Sequence, residues 1–156
     1  APGMPSPHDT NEQSAEFAAK IMQVEQMLEK TPDNAELWVT LGNLFFDSNQ
    51  PGNAIDAYEK SLTLAPDSKP VMTDLGVMYR RNNQPEKAVE MFDKVIALDP
   101  AFEQARFNKG IVLLHDMNDF DAGISAWEEL VKVNPSAITS NGELLKDVIL
   151  RMKENK

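Results

Sequence analysis

The chain has no cysteine, which excludes disulfide staples and zinc–thiolate centres. It has only two histidines, His8 and His115, and neither sits in a paired-histidine metal motif. No uninterrupted apolar run reaches the roughly 18 residues that read as a bilayer-spanning helix. Basic residues are scarce: 15 Lys and Arg face 25 Asp and Glu, a formal charge of -10. That balance argues against a nucleic-acid footprint and against lying on an anionic membrane. It favours solubility and, weakly, a basic partner. There is no Gly-rich phosphate loop. The many carboxylates fall on solvated helix faces with no context that raises a pKa. His115 neighbours Asp116 and Asp119, which reads as helix-end stabilisation or plain exposure. No enzyme activity, metal or cofactor is expected.

What the chain does have is an echo. Hydrophobic residues make up 42% of it, enough for a packed core. Leu41-Gly42 through Pro66 recurs 34 residues later as Leu75-Gly76 through Pro100, and Asn49-Gln50-Pro51 returns as Asn83-Gln84-Pro85. A fixed period of this length marks stacked helical hairpins. The length suits one domain.

The start, Ala1-Pro2-Gly3-Met4-Pro5-Ser6-Pro7-His8, has neither the basic opening nor the apolar stretch of a signal peptide. Residues 1–11 read as a Pro-rich linker or tag remnant, a spacer that could follow a membrane anchor. Phe17, Ile21, Val24 and Leu28 predict a leading helix over 12–30, stopped at Thr31-Pro32. Three repeats come next, at 35–68, 69–102 and 103–136, each a pair of helices joined by a short turn. Proline opens the second helix at Pro51 and Pro85, where its missing N–H costs nothing. Pro135 lies 35 residues beyond Pro100, which places one extra residue in the turn around His115–Asp119. Leu144, Leu145, Val148, Ile149 and Met152 predict a capping helix over 140–154. The expected total is about eight helices.

These positions resemble the tetratricopeptide repeat family, with its Trp, Leu-Gly, Tyr, Ala, Phe, Ala and Pro at fixed places. The first repeat matches with Trp38, Leu41, Gly42, Phe45, Ala54, Tyr58 and Pro66, and carries Ser61 at the later alanine place. The second matches with Leu75, Gly76, Tyr79, Ala88, Phe92 and Pro100, with Met72 for the tryptophan and Val95 for the later alanine. In the third, Arg106 replaces the tryptophan, Lys109 precedes Gly110, and Leu113 takes the aromatic place. With the extra residue in the turn, Gly123 and Trp127 take the alanine and second aromatic places. The resemblance covers Ala35 to Pro135. It implies an all-α, right-handed superhelical stack of antiparallel helix pairs. Mid-helix glycine costs roughly 1 kcal/mol against alanine. Gly42, Gly76 and Gly110 therefore point to close helix approach, with Ala54 and Ala88 the expected opposite faces. The recurring aromatics, including Trp38, Phe45, Tyr79 and Trp127, read as core.

The resemblance also implies where a ligand sits, because the first helix of each pair lines a concave groove in this family. Carried over by position, the first repeat offers Val39, Asn43, Phe46 and Asp47. The second offers Thr73, Val77, Arg80 and Arg81. The third offers Phe107, Ile111, Leu114 and His115. Phe46, Val77, Phe107 and Ile111 look unneeded by the repeats' own cores. Arg80-Arg81, with Arg106 and Lys109 one repeat on, reads as a local anion patch or as ordinary ion pairing with Asp47, Asp74 or Glu103. Asn43 matches one place of the family's C-terminal carboxylate grip, but Val39 and Thr73 supply no lysine, which argues against that mode.

The implied function is a non-enzymatic adaptor that binds a peptide or protein segment in the groove. The alternative is a self-associating module whose groove is covered by its leading helix or by a second copy. Nucleic acid and direct membrane insertion are not expected. Localisation is expected to be cytoplasmic, or periplasmic if an anchor precedes Ala1.

Overall fold

Three asparagines turn the chain back on itself. Asn49, Asn83 and Asn118 take the left-handed backbone conformation, with φ of 56°, 58° and 55°. Asparagine tolerates that region better than most residues, and it ends a helix there as glycine often does. In the computed structural model, which describes residues 7–156, helices flank each of these turns. The described elements are α1 (Pro7–Lys30), α2 (Ala35–Asp47), α3 (Pro51–Leu64), α4 (Lys69–Arg81), α5 (Pro85–Leu98), α6 (Glu103–Ile111), a π-helical turn (Val112–Asp116), α7 (Phe120–Val133) and α8 (Leu145–Glu154). This is the all-α helix-pair architecture expected. The chain divides into two compact units, Ala1–Val71 and Met72–Lys156.

In the first unit, Asn34 caps α2 by accepting from the Leu37 N–H at 3.2 Å, and Pro51 opens α3. Tyr58 of α3 is fully buried, and its ring lies on Gly42 of α2. A methyl group on Gly42 would sit 2.5 Å from two of the ring carbons. The close approach is therefore glycine to aromatic ring, not glycine to Ala54 as expected. Ala54 is buried, but it is not what the glycine makes room for. The leading helix starts at Pro7, so residues 7–11 are helical and not linker; residues 1–6 lie outside the described part. Its second half, 17–30, stands 34 residues before α3, and Pro32 stands 34 before Pro66. Val24 and Leu28 are buried, and α1 packs on α2 as the second helix of an incomplete pair would.

The second unit repeats the hairpin twice. Gly76 of α4 faces the Phe92 ring of α5, and Gly110 of α6 faces the Trp127 indole of α7. Ala88 is again buried without being the glycine's partner. The extra residue of the third repeat falls in the π-helical turn, which overlaps the expected stretch at His115 and Asp116. The bond closing the turn runs from Gln50 N–H to Phe45 O and from Gln84 N–H to Tyr79 O, both at 2.8 Å. In the third repeat it runs from Asp119 N–H to Leu113 O, one residue further back, also at 2.8 Å. The added residue is absorbed as the π-helical turn that ends α6, where Met117 N–H bonds Val112 O at 3.0 Å. The left-handed asparagine is kept at Asn118. Asp119 replaces the proline device by capping α7, its carboxylate accepting from the Ala122 N–H at 3.0 Å.

The capping helix begins at Leu145, later than its apolar stripe suggests. Before it, the chain makes a small hairpin: Thr139 N–H bonds Glu143 O and Leu145 N–H bonds Ala137 O, both at 2.8 Å. Gly142 turns it with φ of 83°. Leu144 is therefore extended and partly exposed, while Leu145 and Ile149 are buried with Ile124, Trp127, Leu130 and Ala137.

Candidate functional site

The candidate residues fall in both units. In the first, Val39 and Phe46 are half-buried on α2, while Asn43 and Asp47 are exposed. Asn43 is already engaged: its side-chain oxygen accepts from the Tyr58 hydroxyl at 2.7 Å. The hydroxyl of a buried tyrosine needs such a partner, so this asparagine serves the hairpin as well as its surface. α1 leaves Asn43 and Asp47 open to solvent, so the leading helix does not cover them.

In the second unit the structure removes one residue from the expected surface and commits two half-buried ones to packing. Thr73 is completely buried. Phe107 is not spare: its ring stacks on Trp127 with centroids 5.5 Å apart and planes 10° apart, and its carbonyl accepts from the Trp127 indole N–H at 3.0 Å. Leu114 lies inside the π-helical turn and packs over Gly123. One added residue rotates the side chains after it by about 100°, the angle each residue occupies in an α-helix. Leu114 is thereby spent on α7, and Gly123 stands where an alanine would collide with it. Ile111 also packs against the Trp127 cluster while remaining half-buried. Val77 is half-buried on α4, and Arg81 and His115 are exposed.

The basic residues do not converge. Arg80 Nε donates to Asp116 Oδ2 at 2.5 Å, which joins the end of α4 to the end of the π-helical turn. Asp116 is not among the partners that the sequence suggests, because its position depends on the added residue. Arg106 Nε donates to the Pro100 carbonyl at 2.7 Å, and Lys109 pairs with Asp93 at 2.6 Å. Arg106 and Lys109 line a different cavity, of about 410 Å³, with Val89, Ile96, Leu113 and Ala126. The Arg106 bond explains the loss of the tryptophan. In the first repeat the Trp38 indole N–H donates to the Pro32 carbonyl at 2.8 Å, and Arg106 makes the equivalent bond 68 positions on.

Charge perturbation lies elsewhere. A hydrogen bond and the charge of Lys20 hold Glu16 below the usual carboxylate range, and Lys132 does the same to Glu129, which in turn raises Lys132. All three are exposed surface groups. Among the described residues, no three His, Cys, Asp or Glu side chains come together in a way that would hold a metal ion. No described helix is long and apolar enough to cross a membrane.

The glycine-on-ring hairpins and asparagine turns are those of a tetratricopeptide repeat. Residues 5–139 match the model of the cytochrome c-type biogenesis protein H TPR domain. The chain belongs to this family. Solved structures agree on the fold. A crystal structure of MamA is 22% identical over 97% of this chain and 87% of its own, with a TM-score of 0.77. The Sgt2 TPR domain from Aspergillus fumigatus is 22% identical over 77% of this chain and 79% of its own, with a TM-score of 0.67. The first TPR domain of Spaghetti (RPAP3), bound to the HSP90 peptide SRMEEVD, is 17% identical over 78% of this chain and 91% of its own, with a TM-score of 0.62. At these identities the likeness is one of fold alone. No curated protein matches the chain by sequence.

Proposed function

We propose that this chain is a non-catalytic module that holds a polypeptide segment during the biogenesis of c-type cytochromes. The process is carried over from the family's name. Peptide binding by such a fold has a precedent in the RPAP3 domain, which was solved with a peptide in place.

The observation that carries the reading is the surface of the second unit around α4 and the π-helical turn. Val77 lies one turn before Arg80 on α4 and is only half-buried. Arg80 and Asp116 hold each other with side chains 38% and 31% exposed, so both keep hydrogen-bonding capacity toward solvent. An apolar side chain beside a fixed, partly open ion pair gives a bound segment an anchor and a source of register.

The test uses the full chain and a c-type cytochrome polypeptide that lacks haem, followed by calorimetry. Val77→Asp is expected to weaken binding at least about tenfold, the effect of about 1.4 kcal/mol. Its helical circular dichroism should stay unchanged. Undiminished binding by this variant would remove the proposed surface.

A further inference from the structure

Two departures from the first repeat meet at one cavity of the second unit. Trp38 and Leu41 have Arg106 and Lys109 as their counterparts 68 positions on. Leu41 is buried, whereas Arg106 and Lys109 turn to polar partners, the Pro100 carbonyl at 2.7 Å and Asp93 at 2.6 Å. Beside them lies the cavity of about 410 Å³, bounded by α5, α6, the π-helical turn and α7. That is the size of a small-molecule site.

The apolar part of its wall is only partly covered. Val89, Ile96 and Ala126 line it and are half-buried. In the first repeat the counterparts of Ile96 and Ala126, the latter counted past the added residue, are Leu28 and Ala57. Those two are 6% and 2% exposed. Apolar surface left wet in a concave site favours an apolar occupant. What the third repeat lacks at this place is an indole, which makes a planar ring the shape that replaces it.

The charges at the rim leave one cation over. Asp93 is paired with Lys109, and Glu129 with Lys132 at 2.6 Å. Lys132 lowers the Glu129 pKa by hydrogen bond and charge, while Arg106 acts on it through charge alone and more weakly. Among the described residues no acid bonds to Arg106, whose Nε is held by the Pro100 carbonyl. Its terminal nitrogens keep their N–H donors, in the fork that matches a carboxylate.

We propose that this cavity binds a planar aromatic group that carries a carboxylate. The ring covers Val89, Ile96 and Ala126, and the carboxylate accepts from Arg106. The cavity shares no residue with the surface around Val77 and Arg80. Two sources present this chemistry: a free aromatic acid, and a polypeptide that ends in an aromatic residue.

Indoleacetate and the peptide acetyl-Gly-Gly-Trp, both with a free carboxylate, are titrated calorimetrically into the full chain. At least one is expected to bind one to one, and the tighter of the two identifies the source. The matching amide, indoleacetamide or the amidated peptide, keeps the ring without the charge and should bind at least about tenfold more weakly. Arg106→Gln should cause a loss of the same size. Lys94→Gln removes an exposed cation of α5 outside the cavity and should leave the affinity unchanged. Arg106→Trp returns the missing ring and should abolish binding, and Ala126→Leu, which narrows the cavity from α7, should weaken it. Circular dichroism verifies that each variant is folded. Binding of neither acid would overturn the proposal. So would equal affinity for acid and amide, equal losses in Arg106→Gln and Lys94→Gln, or undiminished binding by folded Arg106→Trp.

Discussion

Gly110 lies against the indole of Trp127 so closely that no β-carbon fits between them. The same relation holds for Gly42 with Tyr58 and for Gly76 with Phe92. In each pair a glycine that weakens its own helix lets a buried ring reach the neighbouring backbone. Trp127 uses the approach twice, stacking on Phe107 and donating its indole N–H to the Phe107 carbonyl.

Adding one methyl group at these glycines should therefore destabilise, although alanine favours helix. In Gly76→Ala the new carbon would lie 2.5 Å from Phe92 Cε1, and Phe92 is fully buried with nowhere to move. The expected loss is about 1–3 kcal/mol, the range for overpacking a core. Gly52→Ala reverses the sign, because nothing lies within 4 Å of a methyl group there. A gain of up to about 1 kcal/mol is expected, since alanine loses less backbone entropy on entering a helix. Urea denaturation with a fixed slope measures both.

The π-helical turn predicts that one residue is removable. Deleting His115 gives the third repeat the same spacing from its mid-helix glycine to its turn asparagine as the first two have, Gly42 to Asn49 and Gly76 to Asn83. The deletion variant is expected to fold cooperatively with unchanged helical circular dichroism. The ion pair of Arg80 with Asp116 should be lost, since the acid moves one position along the turn. Loss of cooperative unfolding would show that the added residue is needed for the fold and not just accommodated by it.

Arg106 stands where the first repeat has Trp38, bonded to the corresponding carbonyl but beside a cavity of about 410 Å³. Arg106→Trp keeps the hydrogen bond through the indole N–H and adds apolar volume. Cavity filling of this kind commonly adds about 0.5–2 kcal/mol. Thermal unfolding is the measurement, and a lowered midpoint would mean that the walls cannot accept the ring.

Much of this is legible along the chain. Periodicity places α2 through α7, because apolar spacing and the prolines at helix starts are local properties. The Gly42, Gly76 and Gly110 positions announce a close approach. Their partners are not legible, since which side chain crosses to a glycine depends on helix rotation and not on spacing within one helix. Phe107 and Leu114 look like surface for a related reason. Counting 34 residues puts Leu114 in the groove, and the π-helical turn breaks that count at this place. Thr73 is small and polar, and only its burial removes it from the surface.

The helical hairpins and their 34-residue period are written along the chain, because they come from local backbone preference and apolar spacing. Which side chains are spent on packing follows from how the helices meet in space. Their meeting turned Phe107 onto Trp127, joined Arg80 to Asp116 and buried Thr73. The physical reason is that helix spacing specifies a face, whereas a contact requires two faces to meet at a particular rotation. One added residue in the third repeat was enough to change that rotation.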